Sequence, residues 1–397
     1  MRVALLFDHF GPYHIARLSA AGKFSDIQAV EFYSKSSTYA WNRCDLPETG
    51  WHQIFKTVDR STVAFSEFRE VLWRTLDSLN PDVVAIPGWG TKESLAALQW
   101  CLRNQIPSVL MSESTAHDEP RRLLKETLKR RIVSLSSAGL VGGSSHLSYL
   151  RALGMAESRI FLGYDAVDND YFVRGVLTSS IEAGESATVP SFLASARFVT
   201  KKNLPRLIQA FARYRNLCLE GDGSQDPWNL ILLGDGAIRD QLEKLVFSLG
   251  LQAFVKLPGF KQYGELPQYY KSASTFIHAS TSEQWGLVVN EAMACGLPVL
   301  VSNRCGCAPD LVQEGVNGFI FDPWNIEEIA NKMKMISSKS VLTLHEMGQA
   351  SRDIIANCGP ERFADGLLNA AEAAVRHGPR HGWYLDYLLL GGLTKLQ

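Results

Sequence analysis

Glu283-Gln-Trp-Gly286-Leu-Val-Val-Asn-Glu291-Ala-Met-Ala-Cys295-Gly296-Leu-Pro298-Val-Leu-Val-Ser302 parses as loop, helix, turn and strand. Leu287–Cys295 is built of good helix formers, Gly296 fits the left-handed position after a last helical turn, and Pro298 opens a run of valine and leucine. At the helix start, Gly286 has no side chain to keep a ligand off the backbone. Unpaired N–H groups and the positive dipole end attract phosphate there, so Gly286, Leu287 and Val288 are candidate donor contacts. Glu291 stands four residues, roughly 6 Å, beyond Leu287 on the same helical face. A carboxylate so placed can hold ribose hydroxyls while the helix start holds a diphosphate, with Glu283 facing the other end of the ligand. Taken alone, two glutamates eight residues apart are better read as a capping Glu283 and a solvated Glu291.

Outward from this segment, short apolar runs rich in β-branched residues alternate with longer helical stretches. The first series is Arg2–Phe7, Val83–Pro87, Ser108–Met111 and Gly139–Gly142. The second is Ser191–Ala196, Asn229–Leu233, Ala253–Leu257, Thr275–Ala279, Pro298–Ser302 and Phe319–Phe321. Such alternation implies parallel sheets covered by helices, and two sheets are more plausible than one of a dozen strands. Val173–Pro190 loses the apolar period and reads as an interdomain linker. The expected bounds are therefore 1–173 for an N-terminal domain, 174–190 for the linker and 191–379 for a C-terminal domain. Trp383–Leu390 is aromatic and leucine-rich and needs burial, which a tail over 380–397 packing back on the first domain would supply.

Composition narrows the partners. The 397 residues are 46% apolar and carry 40 basic against 41 acidic side chains, a net charge of −1, so nothing draws the whole chain to nucleic acid. The opening apolar run stops at Asp8, too short for a signal-peptide core, and no eighteen apolar residues run together. Seven scattered cysteines (Cys44, Cys101, Cys218, Cys295, Cys305, Cys307 and Cys358) argue for a reducing cytoplasm. Cys305-Gly-Cys307 lacks a second pair or a nearby histidine to complete a metal site.

The opening stretch resembles the Glu-x7-Glu motif of the retaining glycosyltransferases of family 4, and the resemblance extends over most of the second domain. It implies an α/β protein of GT-B architecture, two Rossmann-like doubly wound domains facing a central cleft. The implied activity moves a hexose from a UDP-, GDP- or ADP-sugar to a hydroxyl of a saccharide, lipid-linked saccharide or small molecule. Ser195-Ala-Arg197-Phe-Val-Thr-Lys-Lys202-Asn203 matches the family segment whose arginine and lysine hold the donor diphosphate, which maps onto Arg197 and Lys202 with Lys201 as a competing neighbour. Two fixed cations stabilise a leaving diphosphate without a metal. Gly234-Asp235-Gly236 is similar to the family's strand-end turn, and Val255–Phe260, with Gly259 and Phe260, to the segment whose backbone reads the nucleobase.

In the first domain, Phe7-Asp-His9-Phe-Gly11-Pro-Tyr-His14 resembles the loop that closes over the donor phosphates and approaches the acceptor. It carries one glycine, Gly11, where family members often carry two, and His14 is either an acceptor residue or a plain helix-start residue. Glu113 and His117, after the third strand of the first series, are alternatives for the group beside the reacting sugar. Asp168-Asn-Asp170 is a literal Asp-x-Asp, but it lies far along the chain from Arg197 and Lys202 and is read as a turn, so no metal or other cofactor is expected. Arg121–Arg131 places six cations on one expected helix, either a solvated face or a peripheral contact with the inner leaflet. Two other functions fit the same motifs: a nucleotide-sugar 2-epimerase and a nucleotide-sugar-binding protein without turnover.

Overall fold

The structure, a computed structural model, describes residues 1–34, 50–55, 60–178, 189–220 and 226–396. The chain divides into two compact units, Met1–Val167 with Pro360–Gln397, and Asp168–Gly359.

The first unit is built on seven parallel strands: β1 (Arg2–Phe7), β2 (Asp26–Tyr33), β3 (Trp51–Phe55), β4 (Val83–Pro87), β5 (Ser108–Ser112), β6 (Ala138–Val141) and β7 (Ile160–Leu162). Their order is β3-β2-β1-β4-β5-β6-β7. Because side chains alternate across a strand, β1 serves two cores at once. Ala4 and Leu6 pack with Phe68, Leu72 and Leu98 from helices Phe65–Leu79 and Lys92–Asn104. Val3, Leu5 and Phe7 pack on the other face with Phe363, Ala364 and Leu367 from helix Pro360–His377. That helix approaches so closely that a Cβ on Gly366 would lie 2.2 Å from the Leu162 carbonyl oxygen.

The second unit has six parallel strands: β8 (Ser191–Ser195), β9 (Asn229–Leu233), β10 (Val255–Gly259), β11 (Thr275–His278), β12 (Val299–Ser302) and β13 (Gly318–Phe321), in the order β10-β9-β8-β11-β12-β13. Phe192, Leu230, Ile277 and Leu300 form its core with Leu207, Ile208 and Phe211 of helix Leu204–Leu219. Each such residue, taken out of water, contributes about 1.5–3 kcal/mol. In both sheets the order reverses beside the first strand, between β1 and β4 and between β8 and β11. This is the doubly wound arrangement, whose ligand crevice lies outside the carboxyl ends of the strands at the reversal.

The observed organisation departs from the sequence reading in five places. Strands β2, β3 and β7 were not expected, and β10 runs two residues later than Ala253–Leu257 because Phe254 N–H closes a turn onto Leu251 O at 2.9 Å. Helix Asn169–Thr178 lies in the second unit, where buried Phe172 meets the rings of Tyr263 and Tyr270 at centroid distances of 5.5 and 6.0 Å. The chain therefore passes between units before residue 173, and 174–178 of the expected linker is helical, while 179–188 lies outside the described residues. Helix Pro360–His377, placed by sequence in the C-terminal domain, closes the first sheet instead, since its apolar period matches that face. Finally, Trp383–Leu390 is only half covered: Asp386 and Leu390 are buried, but Trp383, Tyr384, Leu385 and Leu388 face solvent.

Among the described residues no helix is long and apolar enough to cross a membrane. The described cysteines are all buried, and Cys44 lies outside the described residues.

Candidate functional site

In the second unit the loops after β8, β9, β11 and β12 meet at the strand-order reversal. After β8 the chain turns through a short helical turn, Thr200–Lys202, and Asn203 in the left-handed region (φ 58°) redirects it into helix Leu204–Leu219. Asn203 Nδ2 donates to Ala279 O at 3.1 Å and Pro323 O at 2.8 Å, so the loop after β8 is fastened to those after β11 and β13. This brings Lys202 Nζ into an ion pair with Glu283 Oε2, the two side chains being 11% and 13% exposed. Lys201 points to solvent and contributes only its carbonyl, which accepts from Thr281 N at 2.8 Å.

The pair spans the reversal, and two more donors converge on the same oxygen. His278, the last residue of β11, brings Nε2 within 3.1 Å of Glu283 Oε2, and Ser280 Oγ donates to it at 3.1 Å. Burial opposes ionisation of Glu283, but the His278 hydrogen bond and the Lys202 charge outweigh it and hold the carboxyl well below the usual range. Burial also lowers the His278 pKa, so the ring is neutral and its Nε2 proton serves the carboxylate. Among the described residues no hydrogen bond reaches Glu283 Oε1. The backbone is pinned as well: Glu283 N donates to Arg304 O at 3.2 Å and Gly306 N to Glu283 O at 3.0 Å.

Gly286 caps helix Leu287–Ala294 with φ 109°, a conformation that only glycine adopts readily. A Cβ there would stand 3.5 Å from Glu283 Cγ, 3.6 Å from Cys307 Sγ and 3.7 Å from His278 Cδ2, so the carboxylate and the helix start are neighbours. Leu287 and Val288 are half-buried at the helix end whose first N–H groups have no intrahelical partner. Glu291 is fully buried and accepts from Tyr270 Oη at 2.6 Å. The solvated alternative is thereby overturned, because the helix turns Glu291 into the protein.

Gly234 (φ 135°) crosses directly over the loop after β8: a Cβ on it would lie 1.9 Å from Ala196 O. Its N–H donates to Gly259 O at 3.1 Å, and Phe198 N donates to Asp235 O at 2.7 Å. Arg197, exposed, therefore sits on a loop clamped to the Gly234 turn, which is itself bonded to β10. Phe260, just beyond, is 39% exposed.

In the first unit, Gly11 caps helix Pro12–Ala21 in extended backbone (φ −111°), and its N–H donates to His14 Nδ1 at 3.1 Å. His14 lies edge-on to Phe7, with centroids 4.5 Å apart. Although some ring surface reaches solvent, burial and then the charges of Arg17 and His9 hold its pKa down to about 3, so the ring is neutral. Glu113 is half-buried immediately beyond β5, whereas His117 is exposed on an outer turn where Thr115 and Asp118 bond to each other. The structure thus sets Glu113, not His117, at the strand end.

Two buried acids absent from the sequence reading, Glu31 and Glu93, lie in the same unit. Glu31 accepts from Phe10 N at 2.9 Å and Gln53 Nε2 at 2.7 Å and lies 3.0 Å from His9 Nδ1. Buried Glu93 pairs with Arg60 and takes the Tyr33 hydroxyl at 3.1 Å. Burial, together with Glu93 and Glu31, raises the Asp8 carboxyl above its ordinary value against the opposing pull of Arg60 and His9. Asp168 Oδ1 accepts from Tyr171 N at 2.8 Å and so begins a helix. Among the described residues no three His, Cys, Asp or Glu side chains are grouped to hold a metal ion.

Fold and site together define a GT-B-type α/β protein, two Rossmann-like parallel-sheet units with a clamped set of strand-end loops in the second. A glycosyltransferase of Rickettsia africae superposes over 94% of this chain and 98% of its own with a TM-score of 0.71 at 14% identity. Anabaena HepE, solved in complex with UDP and glucose, superposes over 92% and 98% with a TM-score of 0.68 at 19% identity.

Residues 179–354 match the family glycosyl transferases group 1. Over 151 residues the chain is 36% identical to sulfoquinovosyl transferase SQD2 of Arabidopsis thaliana, a match covering 37% of this chain and 27% of that protein. Over 156 residues it is 33% identical to D-inositol 3-phosphate glycosyltransferase of Thermobifida fusca, covering 39% and 32%. The matched segment spans about a third or less of either relative.

Proposed function

We propose that this chain is a hexosyltransferase that moves a sugar from a nucleoside-diphosphate sugar to an acceptor hydroxyl with retention of configuration and without a metal. The observation that carries the reading is the Lys202–Glu283 pair, which bridges the loops after β8 and β11 at the strand-order reversal, beside the helix that starts at Gly286. In this reading Arg197, Lys202 and the amides of Leu287 and Val288 receive the diphosphate, and Gly234 leaves room for it. Glu283 Oε1 orients the sugar hydroxyls while its other oxygen is held by Lys202, His278 and Ser280. A ribose reaching Glu291 takes the place of the Tyr270 hydroxyl. Gly259 and Phe260 border the base.

The acceptor oxygen bonds to the anomeric carbon on the face from which diphosphate departs. As the carbon–oxygen bond to phosphate breaks, the acceptor proton passes to the leaving phosphate oxygen. Arg197 and Lys202 stabilise the charge that grows there, and that stabilisation is greatest in the transition state. Gly11, His14, and Glu113 or His117 belong to the acceptor side. HepE, solved with UDP and glucose, supports a UDP-sugar as the first donor to try.

The test is thermal-shift screening against UDP-, GDP- and ADP-sugars, then turnover with hydroxyl acceptors, reading the anomeric configuration of the product by NMR. Release of nucleoside diphosphate with a retained anomeric product is expected. Inverted product, or a donor sugar epimerised without acceptor, would overturn the reading.

A further inference from the structure

The helix Tyr384–Leu396 is amphipathic in the wrong sense for water. One face packs on helix Lys92–Asn104 of the same unit, with Leu390 fully buried and Tyr387 and Leu393 joining the core. Buried Asp386 fastens it there by accepting from Arg131 Nε and Nη2, each at 2.5 Å. The opposite face presents Trp383, Tyr384, Leu385 and Leu388, which are 76%, 77%, 74% and 54% exposed. Large side chains spaced in this way form a continuous apolar stripe, which a protein surface in water rarely carries without a partner.

The chain beside the stripe is basic. Residues 376–386 contain Arg376 and Arg380 against the single acid Asp386, whose charge is matched by Arg131. Helix Leu123–Ser134, which carries Arg131, begins with Leu123 and Leu124 at 84% and 81% exposure, flanked by exposed Arg121 and Arg122. Seven residues separate Leu124 from Arg131, about 10 Å of helix. Several cations of the Arg121–Arg131 stretch are paired within the chain: Lys125 with Glu119 at the surface, Lys129 with Glu126 and Arg131 with Asp386. Charge alone therefore does not define this surface. Aromatic and leucine side chains rimmed by arginines do.

We propose that this face docks on an anionic bilayer surface. With Asp386 and Leu390 buried on one face and the apolar stripe exposed on the other, the helix lies in the interface plane. Trp383 and Tyr384 sit at headgroup depth, Leu385 and Leu388 reach the acyl boundary, and Arg376 and Arg122 meet lipid phosphates. A protein partner would be expected to offer acids to these arginines or a second apolar face, so the competing occupant is a second copy of this chain.

The test is co-sedimentation of the full chain with phosphatidylcholine vesicles, with and without one third phosphatidylglycerol, at low and high salt. Binding to the anionic vesicles alone is expected, weakened by salt. In Leu385→Glu/Leu388→Glu the dissociation constant should rise by about tenfold or more, and Arg376→Gln should remove part of the salt dependence. These positions are exposed, so an unchanged melting temperature shows that the variants are folded. Brominated lipid should quench emission in the native chain more than in Trp383→Phe. Absence of binding at low salt, or binding indifferent to the double glutamate variant, would overturn the proposal. So would a dimer that the double variant dissociates while vesicles bind neither form.

Discussion

Replacing Lys202 with methionine removes the cation from a carboxylate that is 13% exposed while keeping most of the aliphatic stem. Breaking a fully buried ion pair costs about 3–5 kcal/mol, and breaking an exposed one costs about 0.2–1 kcal/mol. With nearly nine-tenths of both side chains covered, the starting point lies near the buried limit. His278 and Ser280 still donate to Glu283 Oε2 in the variant, which offsets part of the loss. An expected destabilisation of about 2–3 kcal/mol corresponds to a fall in melting temperature of about 5–10 °C for a unit of this size. The double variant Lys202→Met/Glu283→Gln should recover at least half of that, because no unpaired charge remains. Calorimetry on the four members of the cycle at neutral pH measures the coupling. A Lys202→Met melting temperature within a degree or so of the native one, or a double variant no better than the single, would refute the assignment of the pair as the clamp across the reversal.

Four further outcomes are expected of the same molecule. His14 titrates near 6.5 unfolded and near 3 folded, so between those values the unfolded chain binds the extra proton and stability falls as pH drops, by up to about 1.4 kcal/mol per unit. His14→Gln, which can still accept from Gly11 N–H, should flatten that slope in melting curves between pH 4 and 6.5, and an unchanged slope would contradict it. Gly234→Ala meets a carbonyl oxygen at 1.9 Å and should cost more than about 3 kcal/mol, whereas Gly286→Ala meets only ordinary contacts and should cost about 1–3 kcal/mol from backbone strain while weakening donor binding; the reverse order in calorimetry would be inconsistent with the geometry. Tyr270→Phe frees Glu291 Oε2 from its 2.6 Å partner and should leave donor affinity intact or improved, while Glu291→Gln lowers it; equal losses in titration calorimetry would remove Glu291 from the ribose. Turnover should survive excess EDTA, and rescue by manganese after chelation would reverse that expectation.

The doubly wound architecture was legible because buried parallel strands are continuous apolar runs, as in Val3–Leu6 and Val299–Val301. Strands at or near an edge carry weaker signals. All of β3 is only half-buried, β7 is three residues long, and β2 interleaves Asp26, Gln28 and Glu31 with its apolar positions. Site loops could be read from their residue types, as with Gly286 and its positive φ, because the local backbone demands glycine. What holds Glu283 was not readable. Lys202 is 81 residues away from it, and His278 by itself looks like any histidine ending a strand. Glu31 and Glu93 escaped for the same reason, since their partners come from other strands and loops. The unit boundary was misplaced because an apolar helical period says that Phe172 and Phe363 are buried, but not against which sheet.

The closure of the first sheet by Pro360–His377 has a consequence for biosynthesis. Strands β1, β4, β5 and β6 leave the ribosome early, yet one of their apolar faces is covered only in part, by Leu18, Ala20 and Ala21 of helix Pro12–Ala21, until residues near Phe363 have been made. Throughout synthesis of the intervening unit, the face carrying Val3, Leu5, Val83 and Val109 lacks the share of its cover that Phe363, Ala364 and Leu367 supply. A fragment ending at Val167 should therefore aggregate or recruit chaperones. The same strands joined by a short tether directly to Pro360–Gln397 should form a soluble autonomous body, a rearrangement that makes the order of synthesis match the order of packing.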